Sequence, residues 1–116
     1  ANAYVNGFYT PTQANTPETV FTCPDETTTI FQTLQLVNVS GSKNVSVFIL
    51  DFSTGALNRI AYVEFGGPLI TNVFKGSIVM EEKDILKIET SNTSGITGTT
   101  AALETTRIYI PQGGAS

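Results

Sequence analysis

Turn-forming residues interrupt this chain at short, regular intervals. The runs between them are built from Thr, Val, Ile, Phe and Tyr, with no stretch of convincing helical period. Those residue types suit pleated, half-buried strands. Strand-like runs cover residues 4–9, 18–23, 28–40, 44–53, 58–65, 69–74, 77–80, 85–90 and 101–110. They are punctuated by Pro11 and Pro17, Pro24, Gly41-Ser42-Lys43, Thr54-Gly55, Gly66-Gly67-Pro68, Lys75-Gly76 and the charged turn Glu81-Glu82-Lys83-Asp84. Regular spacing of this kind predicts an all-β antiparallel β-sandwich of about eight short strands, jelly-roll or immunoglobulin-like. Residues 28–40 and 44–53 read as a hairpin, residues 91–100 as a polar loop or hairpin tip, and residues 101–106 are too short and threonine-rich for a helix. The 116 residues suit one domain, with an N-terminal arm at 1–17 and a tail at 111–116 as candidate extensions that grip neighbouring subunits.

A composition 41% apolar and 14% charged is too apolar for a disordered chain. The net charge is −4, and the six basic residues Lys43, Arg59, Lys75, Lys83, Lys87 and Arg107 are scattered. No basic stripe exists to neutralise phosphates, so neither nucleic acid nor an anionic membrane is an expected partner. The N-terminus shows no charged region followed by an apolar stretch, so no signal peptide is expected. The sequons at Asn38, Asn44 and Asn92 are about what chance produces in a chain so rich in Ser and Thr.

Histidine is absent, and Cys23 is the single cysteine. Nucleophile activation by histidine and a structural zinc site are therefore excluded, and the expectation is a protein that is not an enzyme and carries no cofactor or metal. Two carboxylate groups remain, Asp25-Glu26 and Glu81-Glu82-Asp84. Both fall in turns, where acidic residues are normally solvated, and the second lacks the ligand spacing of an EF-hand loop. Asp84 is placed to fix its turn through a side-chain oxygen. Tyr4, Phe8, Tyr9, Tyr62 and Tyr109 form no cluster along the sequence, which favours packing over a sugar platform.

One run exceeds what a sandwich strand needs. Val47 and Ile49 fall on one face and Phe48, Leu50 and Phe52 on the other, although a sandwich strand requires only one buried face. Either a loop covers the second face or another subunit does. Val47, Phe48, Ile49, Leu50 and Phe52, with Tyr4, Phe8, Tyr9 and Tyr109 of the terminal segments, are the candidate interface residues.

Residues 22–90 also carry a pattern. It runs through Thr22-Cys23-Pro24, Leu34-Gln35-Leu36-Val37-Asn38, Ser40-Gly41-Ser42, Gly67-Pro68-Leu69 and the segment GSIVMEEKDILK at 76–87. This resembles small virion proteins of tailed bacteriophages; the threonine-rich end after Ser91 departs from it. The resemblance implies a homotrimeric capsid decoration (cement) protein on the virion surface, binding the major capsid protein or other virion proteins. A neck, tail or baseplate component is the alternative within that class, and a carbohydrate-binding adhesin the alternative outside it.

Overall fold

The computed structural model describes residues 2–74 and 76–106. They form nine strands and no helix: β1 (Asn2–Tyr9), β2 (Glu18–Thr22), β3 (Thr27–Asn38), β4 (Lys43–Leu50), β5 (Leu57–Phe65), β6 (Leu69–Asn72), β7 (Ile78–Met80), β8 (Ile85–Thr90) and β9 (Ile96–Thr106). Sheet A has the order β1-β9-β3-β6, with β7 also on β3, and sheet B the order β2-β8-β4-β5. Every pairing is antiparallel. β6 and β7 lie end to end along one edge of β3, where Leu36 faces Thr71 and Ile30 faces Val79. Counted as one interrupted strand, they leave eight strands whose links cross between the sheets everywhere except β4–β5. An immunoglobulin sandwich keeps its first two strands in one sheet, whereas β1 and β2 lie in different sheets. Of the two architectures expected, the chain adopts the jelly roll.

The two layers close over a single core. Phe31, Leu34 and Leu36 of β3 and Ala102 of β9 face Val45, Val47, Phe65, Leu86 and Ile88 of sheet B. Phe31 is the hinge of the packing: its ring meets Phe21 edge-on at 5.2 Å and Phe74 at 6.2 Å. Each large side chain removed from water here contributes about 1.5–3 kcal/mol. β9 brings small residues inward, and a Cβ at Gly98 would sit 3.1 Å from Leu36 Cδ2.

The structure corrects three expectations. β3 and β4 are not a hairpin; they lie in opposite sheets. Both carry large apolar side chains on their inner faces, and placing them in facing layers lets each cover the other. The turn between them becomes a crossover. There the buried Lys43 ammonium donates to Asn38 Oδ1 at 2.8 Å and to the Ser40 carbonyl, while Asn38 Nδ2 donates to the carbonyls of Gly41 (2.8 Å) and Gly67 (2.9 Å). Both amide hydrogens of Asn38 are thus engaged inside the fold, and the side chain is buried. β6 and β7 likewise do not fold back on one another about Lys75-Gly76.

Half of the 91–100 segment is strand, because β9 starts at Ile96. Its β-branched residues pair with β3 from Asn38 through Thr27. Gly95, at φ 72°, turns the chain into it. Within the N-terminal arm the strand expected at 4–9 is present and starts earlier: Asn2 to Tyr9 pair without interruption with Thr105 to Gly98. The expected strand end at Ile110 and the tail at 111–116 lie outside the described residues.

Candidate interaction surface

Sheet B shows what becomes of the doubly apolar run. Val45 and Val47 point inward and are fully buried, and Ile49 packs against the core. Val47 is therefore a core residue and not an interface residue, because the β4–β5 pairing aligns it with the inward Ala61 and the β4–β8 pairing with buried Ile88. Phe48 and Leu50 point outward beside Arg59, Leu57, Lys87 and Ile85. The Arg59 guanidinium lies 5.7 Å from the centre of the Phe48 ring and 5.5 Å from that of Tyr62, and Lys83 Nζ lies 5.0 Å from that of Phe52. The second face of β4 is thus partly covered by cations of its own chain.

Next to Phe52, a cleft of about 420 Å³ is lined by Asp51, Phe52, Ser53, Glu81, Glu82, Lys83 and Asp84. Its carboxylates hold backbone. Asp84 accepts from the amides of Phe52 (3.0 Å) and Glu81 (3.1 Å), fixing the turn as expected, and Glu82 accepts from the amide of Glu26 at 2.7 Å. Asp51 accepts from the amide (3.0 Å) and hydroxyl (2.7 Å) of Ser53, and these bonds hold its carboxyl below the ordinary range. Among the described residues, no three His, Cys, Asp or Glu side chains converge to hold a metal ion. These bonds brace the two turns against each other across the cleft.

The outer face of sheet A is of a different kind. Residues directly opposite in an antiparallel ladder point to the same side, so the register reads out the rows. Tyr4, Leu103, Ile30 and Val79 form one; Phe8, Thr99, Gln35 and Asn72 another; Thr97, Val37 and Ile70 a third. Asn6, Ala101 and Thr33 lie between the first two, and Thr105 and Thr28 extend the face toward the other end. Not one of these side chains is charged. The acid of β9, Glu104, falls in the inward row with buried Thr29 and Met80. Four of the outward residues are large, apolar and well exposed: Tyr4 (81%), Phe8 (75%), Ile70 (61%) and Val79 (55%). Strand spacings of about 4.8 Å and a rise of about 3.4 Å per residue give this face roughly 500 Å². An ordinary surface of that extent carries charge on about a quarter or more of its residues.

Of the terminal aromatics singled out from the sequence, Tyr4 and Phe8 thus share one exposed face. Tyr9 does not join them: as the odd-numbered neighbour it points inward, is 4% exposed, and its hydroxyl finds no partner among the described residues. Burial pushes that phenol well above its ordinary range, with Glu18 and Glu89 adding to the effect. Tyr109 lies outside the described residues. Cys23 is also interior. Its thiol donates toward the carbonyls of Thr27 (3.2 Å) and Met80 (3.7 Å) and accepts from the Thr29 hydroxyl at 3.2 Å, while burial raises its pKa, a setting for an unreactive thiol.

Sequence reasoning missed Ile30, Val37, Ile70, Val79 and Leu103. The signal was present in the missing charge: residues 28–37 carry no charged side chain, and neither do Thr97, Thr99, Ala101, Leu103 and Thr105. No family model, curated protein or solved structure matches the chain.

Proposed function

We propose that this chain is a non-enzymatic adhesive component of a tailed-phage virion, in first place a capsid decoration protein that docks its uncharged sheet A face on neighbouring major capsid subunits. The observation that carries the reading is that face: four adjacent strands presenting no charge on a protein of net charge −4. Apolar and hydroxyl side chains on a flat sheet give up little hydration when covered, and removing apolar area from water contributes about 25 cal/mol per Å² before association costs. Charged side chains would have to be paired or stripped of water, and depletion of charge is the compositional mark of interface centres. The residue pattern at 22–90 supplies the phage assignment. The fold is neutral on this point, since jelly rolls serve capsids and lectins alike.

The test is a purified particle. The chain should be present in many copies on the head, and heads lacking it should burst at lower osmotic shock. A few copies at the neck or tail would move the same adhesive role to that location. Equal burst resistance with and without the chain would remove decoration altogether.

A further inference from the structure

The four lateral edges of the sandwich are not equivalent. Edge strands invite pairing with another chain, and soluble proteins blunt them with charge, proline, bulges or short length. In sheet B, the β5 edge carries Arg59 and Glu64 and a register shift opposite Val47 and Phe48; the β2 edge carries Glu18, a shift between Thr19 and Phe21, and flanking prolines 17 and 24. In sheet A, the β6–β7 edge is broken into strands of four and three residues. β1 has none of these devices. It is eight residues long, NAYVNGFY, without charge, proline or bulge, and among the described residues its outer edge pairs with nothing.

We infer that β1 pairs with β1 of a second copy of this chain, antiparallel about a two-fold axis perpendicular to sheet A. Such an axis keeps outward residues opposite outward residues, so the permitted registers are few. The register centred on Asn6 places Tyr4 opposite Phe8 of the partner subunit, Phe8 opposite the partner's Tyr4, and Asn6 opposite the partner's Asn6. Moving the centre by one residue in either direction leaves both aromatics without an aromatic opposite. On the inner side the same register sets half-buried Val5 against the partner's Gly7, which has no side chain to obstruct it. Tyr4 and Phe8, the two most exposed large apolar side chains among the described residues, thereby cover each other twice. Cross-strand aromatic pairs are favoured contacts, each changing affinity by up to about fivefold.

The consequence is geometric. The two-fold sets both uncharged faces on the same side, as one platform of roughly 1,000 Å². That exceeds the about 800 Å² that one partner contributes to a standard protein interface. A strand edge that pairs with itself closes at two chains, so this assembly replaces the three-fold one that the sequence pattern implies. The pairing rests on the edge alone and stands or falls independently of the virion role.

The test is sedimentation velocity of the intact chain across a concentration series, with circular dichroism as the check on folding. The expected species is twice the 12.4 kDa chain mass. Asn6→Lys and Asn6→Glu each set like charges face to face and should raise the dissociation constant by about fivefold or more, whereas an equimolar mixture of the two should dimerise again. Phe8→Ser removes both aromatic pairs and should weaken the dimer by about twentyfold. Both positions point to solvent in the single chain, so the variants retain the strand spectrum. A monomer at every concentration, a trimer, or a dimer indifferent to all three substitutions would overturn the inference.

Discussion

The outer faces of the two sheets are built from the same kinds of strand, yet they are finished differently. Sheet B turns out Phe48, Leu50, Leu57, Tyr62 and Ile85, and interleaves them with Arg59, Glu64, Lys87 and Glu89. Sheet A turns out Tyr4, Phe8, Ile30, Val37, Ile70, Val79 and Leu103 among threonines, with no charge among the described residues. The apolar content is similar; the placement of charge is not. A cation over an aromatic ring keeps an apolar residue hydrated at its margin and discourages burial against a partner. The comparison therefore teaches that the surface to watch is the one that lacks charge, and the richest apolar run in the sequence is not on it.

The largest test of this division lies within β3. Phe31→Ala removes the ring that joins Phe21 to Phe74 and should cost about 3–5 kcal/mol in urea denaturation. Ile30→Ala, its outward neighbour, should cost about 1 kcal/mol or less. Comparable losses at the two positions would mean that the outer face is already covered within one chain. Next in size is the joint between the sheets: Asn38→Ala leaves the buried Lys43 ammonium with only the Ser40 carbonyl and takes the Asn38 donor from the Gly41 and Gly67 carbonyls, an expected loss of about 1–3 kcal/mol by thermal or chemical unfolding.

A smaller effect on folding, but a decisive one on adhesion, comes from charging each face in turn. Ile30→Lys should change stability by about 0.5 kcal/mol or less, and Phe48→Lys, set opposite Arg59 and Lys87, should cost about 1 kcal/mol. In a co-sedimentation assay with undecorated heads, Ile30→Lys should abolish binding and Phe48→Lys should not. The reverse result would transfer the surface to sheet B.

The smallest expected effect is local and acid-dependent. The carboxyl of Glu18 is held below its ordinary value of 4.5 by the Thr12 hydroxyl, with the amides of Thr12 and Gln13 assisting, and that of Asp51 below 3.8 by Ser53. A depressed carboxyl contributes stability that is complete above the unfolded value and lost as pH falls through the folded one. The protection of the Thr12, Gln13 and Ser53 amides, measured against their intrinsic exchange rates, should therefore fall on acidification below about pH 4, while the β3–β9 ladder keeps its protection. Uniform loss across both sheets would contradict this separation.

Much of the fold was legible along the chain because alternation and turn chemistry are local. The Thr54-Gly55 turn, the Asp84 turn and the alternation behind the two-layer class all follow from residues within a few positions of one another, although the pairing of β4 with β5 was not read from them. The β3–β4 link misled because a Ser-Gly-Ser turn serves equally well to fold a strand back in its sheet or to carry it across to the facing one. Which occurs depends on what covers the inner side chains, and that is a contact between distant residues. The start of β9 was hidden for a related reason. A strand whose inward positions are small and whose outward positions are threonine has no polarity contrast to read.

What the sequence determined by itself is the strand content, the absence of histidine chemistry and the low charge of particular alternate positions, since each depends on residue identity and short-range periodicity. What only the tertiary structure decided is that β1, β9, β3, β6 and β7 stand side by side, so that their uncharged positions merge into one face, and that β1 is left at its rim. Adjacency of strands far apart in the chain is set by closing two layers over one core, a condition that no local stretch encodes.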